Sequence, residues 1–253
     1  MAIKPTDYIG SLAKGLAVLE AFDGGHPRLS VAQAAEATGL DRAAARRCLL
    51  TLTELGYAQY DGKFFALTPR VLRLGSHALA SMPLTQIVQP WLDQLSERIG
   101  ESVSVSILDG AEIIYVARAA QRRVMSIGLM PGSRLPAHCT SMGRILLGAL
   151  EREEAMALIR SSDLSPRTPN SLTDPDAIMG AIEKAQRDGY ALVDQEIEIG
   201  LRSLAVALVN PQGQVQAALN VGVSAAQKSA AEIVRDYLPA LQQVRQGIQP
   251  ALS

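Results

Sequence analysis

The sequence predicts an α+β protein in two parts, a small winged helix-turn-helix unit followed by a larger domain built on an antiparallel sheet. Three short helical patterns precede an Asp-Gly turn between two β-prone runs within the first 70 residues. Farther along, serines alternate with apolar residues from Ser102 to Ile107, and Asp109-Gly110 turns the chain back. Antiparallel hairpins with helices grouped around them argue against a doubly wound nucleotide-binding fold.

The composition is that of a globular protein, with 48% hydrophobic and 19% charged residues among 253. No apolar run approaches the ~18 residues needed to cross a bilayer, and the first residues lack the layout of a signal peptide. We therefore expect a cytoplasmic protein with no membrane partner. Cys48 and Cys139 stand in no C-x-x-C pair, so both are expected to be reduced.

The first two helices are indicated by their caps and by one apolar face. The first is predicted from Ser11 to Phe22, with Ser11 as its N-cap. Its apolar face, at the i, i+4, i+7 spacing, consists of Leu12, Leu16 and Leu19. The second helix begins at a capping-box pattern formed by Ser30 and Gln33, and Gly39 suits the left-handed residue that ends it.

The third helix carries the arginines on which a nucleic-acid role depends. Asp41 is placed to cap it, and it ends near Leu55 at Gly56. Its buried face is predicted to contain Ala45, Leu49 and Leu52, and its outward face Arg42, Arg46 and Arg47. Two short helices separated by a tight turn at 39–41 are typical of a helix-turn-helix, whose second helix enters a major groove.

A hairpin follows the third helix, with β-prone runs at 57–60 and 63–67 around the turn Asp61-Gly62. Taken singly, a three-helix pattern also fits a small α domain, and surface arginines usually form only a solvated face. The order of the elements favours the winged helix-turn-helix. The net charge of −1 argues neither way, since the first 80 residues hold nine basic and seven acidic side chains.

This arrangement predicts double-stranded DNA as a partner. We expect Arg42, Arg46 and Arg47 to contact phosphates or guanine edges, and Lys63 to contact the DNA backbone beside the wing. A homodimer would place two such helices in successive major grooves of a palindromic operator.

Thr68-Pro69 predicts the start of a linker helix, because a threonine N-cap is followed by proline at the first helical position. The predicted domains are therefore a DNA-binding domain at 1–67, a linker helix at 68–82 and a second domain at 83–253. The elements predicted in the second domain are a helix from Leu84 to Ile99 bent at Pro90, strands at 103–107, 113–117 and 124–129, a loop at 131–136, helices at 142–150, 153–160 and 176–187, strands at 190–194, 201–209 and 215–223, and a closing helix through Ile233 and Val244.

A small-molecule site is predicted where a Pro-flanked loop runs into a helix, at residues 135–144. Unpaired backbone N–H groups and the positive end of the helix dipole favour a carboxylate there, and Thr140 and Ser141 add hydroxyl donors. Ordinary capping of the helix by Ser141 is the alternative. A second polar cluster, a loop with Asp194, Glu196 and Ser203 between two apolar strands, could also face a pocket.

Asn220 interrupts an otherwise apolar strand, and a buried amide needs hydrogen-bond partners that a ligand or a neighbouring strand could supply. Two other readings of the second domain compete with ligand sensing. One is a hydrolase that uses Ser141 and His138, although no G-x-S-x-G motif is present. The other is a redox sensor, which would require an accessible, low-pKa thiol at Cys139. We expect no catalytic residue, no metal and no cofactor.

Two segments of the second domain resemble signatures of the IclR family of bacterial transcriptional regulators. The first is Arg134 to Leu147, and the second is Gly200 to Val206 after the acidic Asp194-Gln195-Glu196. Ala207 stands where the family often has proline. Segments at 7–16, 67–75 and 125–129 further resemble the β-ketoadipate-pathway subgroup, which governs aromatic-acid catabolism.

This resemblance implies a DNA-binding domain joined by a linker helix to a GAF-like effector domain, assembled as dimers or tetramers. It implies a small carboxylate effector, with protocatechuate, 4-hydroxybenzoate and β-ketoadipate as candidates. The effector-binding residues that it implies are Thr140, Ser141, Met142, Asp194, Glu196, Ser203 and Asn220.

Overall fold

The computed structural model describes residue 4 and residues 7–23, 25–75, 82–121 and 128–252. The chain divides into two compact units, residues 1–78 and 79–253. Within the described ranges, no helix has both the length and the apolar character needed to span a bilayer.

The first unit is a winged helix-turn-helix. Its elements are α1 (Gly10–Glu20), β1 (Arg28–Leu29), α2 (Val31–Thr38), α3 (Arg42–Glu54), β2 (Ala58–Tyr60) and β3 (Phe65–Leu67). The three strands form an antiparallel sheet in the order β1-β3-β2. Strand β1 was not predicted, because two residues are too few for any periodicity to show. Val18, Leu29, Leu49 and Phe65 lie in the shared core.

Helix α1 differs from its prediction in two ways. It begins at Gly10, and Ile9 occupies the N-cap position without a side-chain hydrogen bond, so the prediction that Ser11 caps the helix was wrong. Two of its three regularly spaced leucines are also largely uncovered, since Leu12 is 59% and Leu16 48% exposed, whereas Leu19 is half-buried. Val18 is the buried residue of the helix. The described part of this unit therefore covers only one end of the leucine face.

The caps of α2 and α3 confirm the sequence interpretation. Ser30 and Gln33 form a reciprocal capping box, and Gly39 ends α2 in the left-handed region with φ of 67°. The Asp41 carboxylate accepts a hydrogen bond of 2.7 Å from the backbone N–H of Ala44 and so begins α3. These caps fix the turn that separates the two helices.

The wing and the start of the linker also match the sequence pattern. The Asp61 carboxylate accepts hydrogen bonds from the backbone N–H groups of Lys63 and Phe64, which closes the hairpin turn. Thr68 caps a 3₁₀ turn at Pro69–Val71, and residues 72–75 continue as helix. The rest of the predicted linker, residues 76–81, lies outside the described residues.

The second unit contains one six-stranded antiparallel sheet with helices on both faces. Its elements are α4 (Pro83–Ile99), β4 (Ser102–Asp109), β5 (Glu112–Ala119), β6 (Arg134–Pro136), α5 (Ser141–Leu147), α6 (Arg152–Ser161), α7 (Pro175–Asp188), β7 (Ala191–Asp194), β8 (Leu201–Val209), β9 (Val215–Ser224) and α8 (Ala230–Ile248). The strand order is β6-β5-β4-β9-β8-β7. The α+β fold class is confirmed.

Three local predictions need correction in this unit. The predicted loop at 131–136 contains β6, which pairs with β5 and forms one edge of the sheet. Of the strand predicted at 124–129, residues 124–127 lie outside the described residues, and Gly128 and Leu129 do not form a strand. The helix predicted at 142–150 is shorter, because α5 ends at Leu147.

The two faces of the sheet have different covers. Helices α4 and α8 cover one face, where Val103, Val105, Leu219 and Val221 are fully buried. Helix α5 lies against the other face, and α6 and α7 complete that layer. The serines of β4 point to this second face, where Ser104 and Ser106 are buried and Ser102 is half-buried. Buried polar groups need hydrogen-bond partners, so this row of serines beneath α5 marks a place where a polar ligand can bind.

Candidate effector site and nucleic-acid surface

A small cavity lies between the start of α5 and the second face of the sheet. Its volume is about 40 Å³, and it is lined by Ser102, Tyr115, Arg118, Leu129, Leu135, Thr140, Ser141, Met142, Val193, Ile197, Leu201, Ser203, Asn220 and Gly222. Five of the seven residues implied as effector-binding are in this lining. Effector contact by these side chains stays a prediction.

Helix α5 is held tightly at its first turn. Thr140 caps it, since its hydroxyl accepts a hydrogen bond of 3.1 Å from the backbone N–H of Gly143. A Cβ atom at Gly143 would lie 2.0 Å from the Ala137 carbonyl oxygen, so only glycine fits this close approach. The Ser141 hydroxyl is buried and has no hydrogen-bond partner in the described residues. Capping therefore does not account for Ser141.

The sheet contributes the polar floor of the cavity. Ser104 on β4 is flanked by Arg118 on β5 and by Asn220 on β9. The amide of Asn220 makes no hydrogen bond within the described residues, although the residue is buried. The sequence left open whether a ligand or a neighbouring strand supplies the partners of this amide, and no hydrogen bond to a described neighbouring strand is observed. The neighbouring row on the same face contains Ser102, Gly222 and Ser203.

A β-bulge places Arg118 in this row. Ser106 pairs with Tyr115, whereas Val105 pairs with Ala117, so Val116 is an extra residue in β5. Residues three apart in a regular strand point to opposite faces, but the bulge brings Tyr115 and Arg118 to the same one. Simple alternation from Tyr115 would place Arg118 on the opposite face, and the sequence analysis did not name Arg118 as a site residue.

The cavity contains one cationic side chain and no acidic one among the lining residues described. The Arg118 guanidinium is half-buried and donates a hydrogen bond of 3.0 Å from Nη1 to the Ser104 hydroxyl. No carboxylate pairs with it in the described part of the chain. Burial lowers the pKa of Arg118 and raises the pKa of Tyr115 to about 12. At neutral pH the tyrosine is thus a neutral hydroxyl beside a cation.

Asp194 and Glu196 lie outside the cavity lining, and each is paired with an arginine. Asp194 accepts a hydrogen bond of 2.7 Å from Arg202, which lowers the pKa of its carboxyl. Glu196 forms a buried ion pair of 2.7 Å with Arg144 of α5, whose side chains are 8% and 5% exposed, respectively. Their predicted effector contacts are not visible in this geometry, and both carboxylates are neutralised by the protein itself.

The Glu196 loop is tied to the segment before α7. The Thr168 hydroxyl donates to the carbonyl of Gln195 at 2.6 Å, and the Ser171 hydroxyl donates to that of Glu196 at 2.7 Å. Gln195 has a φ of 60°, a conformation that is uncommon for a residue other than glycine. These tethers hold the loop in place and position Ile197 in the cavity wall.

The geometry of Ser141 and His138 does not support the hydrolase interpretation. His138 Nδ1 and the Ser141 hydroxyl are both buried and have no hydrogen-bond partner among the described residues, so no hydrogen bond joins them. The pKa of His138 is lowered, mainly by burial and also by Arg144 and Arg167. Nothing described here orients the imidazole as a triad would require.

The redox-sensor reading required an accessible thiol of low pKa, and the structure has the reverse. Cys139 is 2% exposed, and burial raises its pKa to about 11. Across the described residues, no group of three His, Cys, Asp or Glu side chains is arranged to hold a metal ion.

The first unit presents its cations on α3 and on the wing. Arg42, Arg46 and Arg47 are exposed, and Arg47 borders the groove between α1 and α3. On the wing, Lys63 Nζ and the Arg28 guanidinium lie 5.1 and 5.0 Å from the centre of the Phe64 ring. The sequence analysis missed Arg28, because its place beside the wing depends on the two-residue strand β1.

The first unit is a winged helix-turn-helix that exposes arginines on α3, the second helix of the motif, and the second unit contains a polar cavity. Together these two units define a ligand-responsive transcriptional regulator. Comparison with family models identifies the family of regulators to which the chain belongs. The model of the IclR helix-turn-helix domain matches residues 11–62, and that of the bacterial transcriptional regulator IclR C-terminal domain matches residues 76–249. The chain belongs to the IclR family.

Its relatives include regulators of aromatic catabolism. The Pca regulon regulatory protein of Pseudomonas putida is 43% identical over 236 residues, which cover 93% of this chain and 81% of the relative. The p-hydroxybenzoate hydroxylase transcriptional activator of Acinetobacter baylyi is 42% identical over 223 residues, covering 86% and 82%. A double mutant of the PobR inducer-binding domain from Acinetobacter, solved with 3-hydroxybenzoic acid, has a TM-score of 0.63 and 29% identity, covering 66% of this chain and 98% of that one.

Proposed function

We propose that this chain regulates genes for the degradation of aromatic compounds, and that a small aromatic or dicarboxylic acid controls its operator binding or its activation. The observation that carries the proposal is the cavity beneath α5, where the side chains of Ser141 and Asn220 have no hydrogen-bond partner among the described residues. Buried polar groups are rarely left unsatisfied, so they point to a ligand that supplies the missing hydrogen bonds. The names of the relatives support an aromatic acid as that ligand.

The chemistry of the lining fits such an acid. Leu135, Met142 and Ile197 offer apolar contacts to a ring, while hydroxyl, amide and guanidinium groups face the same space. The absence of acidic side chains from the described lining removes the repulsion that a carboxylate would otherwise meet. We infer that the acid is bound and released unchanged, because the family relatives are regulators and no nucleophile and base are joined in the described site.

The size of the cavity suggests how binding could be transmitted. At about 40 Å³, it is smaller than the roughly 150 Å³ apolar cavity that accommodates benzene in another protein. An aromatic acid would therefore require the walls to move apart, and it would favour an expanded form of the second unit. We propose that the linker helix, residues 68–82, carries this difference to the DNA-binding domains.

Thermal stability should reveal the acid. We expect 4-hydroxybenzoate, protocatechuate or β-ketoadipate to raise the melting temperature of the full chain. At a hundred times Kd, the gain is about 2.7 kcal/mol, which corresponds to a rise of roughly 5 to 10 °C for a domain of this size. Differential scanning fluorimetry would measure the rise, with chromatography of the recovered acid to show that it is unaltered. No shift with any of these acids, or conversion of one to a product, would contradict the proposal.

For DNA, we propose that a homodimer presents two copies of α3 to a palindromic operator with half-sites about 10 bp apart or a multiple of that. Arg42, Arg46 and Arg47 would contact phosphates or guanine edges, and Lys63 would contact the backbone beside the wing, aided by Arg28. The cytoplasm, where the bacterial genome lies, is the location that this partner implies.

The surface of the first unit supports a second copy of the chain as its partner. Of the eleven exposed large hydrophobic residues among those described, nine lie in this unit, from Tyr8 to Leu74, and two, Met130 and Ile199, lie in the other. Leu12, Leu16 and Leu55 line one groove between α1 and α3. Apolar surface concentrated in this way marks interaction sites. A symmetric contact here would bring two recognition helices into one assembly.

Charge on the α1 face should dissociate the assembly. We expect Leu16→Glu to lower the mass measured by light scattering after gel filtration, because a buried, unpaired carboxylate would oppose the contact. Met130→Glu is the matched control, since it places the same charge at an exposed apolar residue of the second unit. An unchanged mass for Leu16→Glu, with a normal circular dichroism spectrum, would show that α1 is not the contact surface.

A further inference from the structure

Arg118 is the one charged side chain in the described lining of the cavity, and no described carboxylate pairs with its guanidinium. Its partner across the strand pair, Ser104, accepts one hydrogen bond. An arginine has five N–H donors in a fixed planar fork, so most of its donors have no protein acceptor within the described residues. By contrast, the nearby Arg144 and Arg202 are both paired with carboxylates.

A half-buried cation without an anion is energetically unfavourable, because burial favours the neutral form while nothing stabilises the charge. Such an arrangement persists where an anion completes it. The planar fork matches a carboxylate in two parallel hydrogen bonds, which an ammonium or an amide does not reproduce. Tyr115 and Asn220 stand on the same face and offer neutral donors beside the fork.

We propose that Arg118 is the carboxylate receptor of the effector cavity and the residue that makes the site selective for acids over neutral aromatics. This inference rests on the proposed function, since it presupposes that an acid enters this cavity. It replaces the start of α5 as the principal anion site. Helix α5 has only seven residues, and Thr140 already satisfies the N–H of Gly143.

The bulge in β5 is the structural basis of this selectivity. In a regular strand, Val116 would pair with Val105 and Arg118 with Val103, so Arg118 would point to the face covered by α4 and α8. The insertion turns the guanidinium toward α5 and aligns it with Ser104 and Asn220. β-Bulges commonly re-aim a side chain beside a functional site in this way.

The test compares an acid with its neutral isostere. The full chain and the variants Arg118→Gln and Arg118→Lys are titrated calorimetrically with whichever of 4-hydroxybenzoate, protocatechuate and β-ketoadipate stabilises the wild type most, and with the matching carboxamide. Arg160→Gln is the control, because Arg160 is an exposed arginine on α6 away from the cavity.

We expect Arg118→Gln to weaken binding of the acid by about tenfold to a hundredfold, as loss of hydrogen bonds to a charged group predicts. Binding of the carboxamide should change by less than about threefold, so the preference for the acid collapses. Arg118→Lys should weaken the acid by an intermediate factor, since it keeps the charge and loses the fork. Arg160→Gln should leave both ligands unaffected.

The outcomes distinguish failure of the proposed function from failure of the role of Arg118 alone. If the wild type binds none of these three acids, the proposed function fails, and the role of Arg118 fails with it. If the wild type binds the acid and Arg118→Gln keeps the same preference over the carboxamide, the receptor is elsewhere and this inference alone is overturned. Should Arg118→Gln fold poorly, full retention of acid affinity in a folded Arg118→Lys variant would overturn the bidentate fork.

Discussion

Replacing Arg144 by Met should lower the melting temperature of the second unit by roughly 6 to 20 °C. The change leaves Glu196 as a buried carboxylate without its counter-charge, and breaking one partner of a buried pair costs about 3–5 kcal/mol. Arg144 also donates to the carbonyl of His138 at 3.1 Å, so the variant loses a tie between α5 and the segment before it. Scanning calorimetry would follow the transition.

A double-mutant cycle shows whether the loss belongs to the pair. We expect Glu196→Leu alone to be similarly destabilising, and the double variant Arg144→Met/Glu196→Leu to recover much of the loss, because no buried charge remains unpaired. Arg152→Met breaks the exposed pair with Glu183 and should change stability by no more than about 1 kcal/mol. Equal, additive losses in the cycle would mean that the two side chains act independently.

The Arg144–Glu196 pair also shows why the sequence alone led to Asp194 and Glu196 being interpreted as effector contacts. Residues 194–196 follow a strand and precede another, which is a common place for binding residues. Sequence spacing gives no sign that Glu196 meets Arg144, since the two are 52 positions apart. Their contact depends on the tertiary packing of α5 beside the Glu196 loop. The pair therefore fixes the wall of the cavity from outside it.

Local signals predicted most of the fold because they act over a few residues. The capping box at Ser30, the cap at Asp41 and the Asp61-Gly62 turn are each decided by neighbours in the sequence, and all three are present in the structure. The solvent-accessible leucines of α1 show the limit of such patterns. Helical spacing identifies an apolar face but not whether the same chain covers it.

The cavity was predicted in part for a related reason. The segment 140–142 could be located because a cap and a family signature coincide there, whereas Arg118 depends on one extra residue in β5. A bulge changes the face of every later side chain in its strand, and nothing in the local composition announces it. Val116 resembles any other strand residue, so the cation opposite the helix start could be found only in the folded sheet.

Replacing both Arg42 and Arg46 by Ala should weaken operator binding by at least about thirtyfold. The two side chains are one turn apart on the exposed face of α3, and each base-edge contact contributes about 1–3 kcal/mol of discrimination. Their backbone atoms lie in a helix whose cap and core face are untouched, so the fold should be kept. Fluorescence anisotropy with a duplex selected from a random library by the wild type would give Kd.

Salt dependence then distinguishes the two kinds of contact. If Arg42 and Arg46 neutralise phosphates, the slope of log K against log salt should fall by roughly 2, and binding to unrelated duplexes should weaken equally. If they contact guanine edges, the selected duplex should lose more affinity than unrelated DNA. Arg160→Ala, an exposed arginine of the second unit, should behave as the wild type. Unchanged affinity of the double variant at moderate salt would remove α3 from the interface and leave the wing, with Lys63 and Arg28, as the surface to examine.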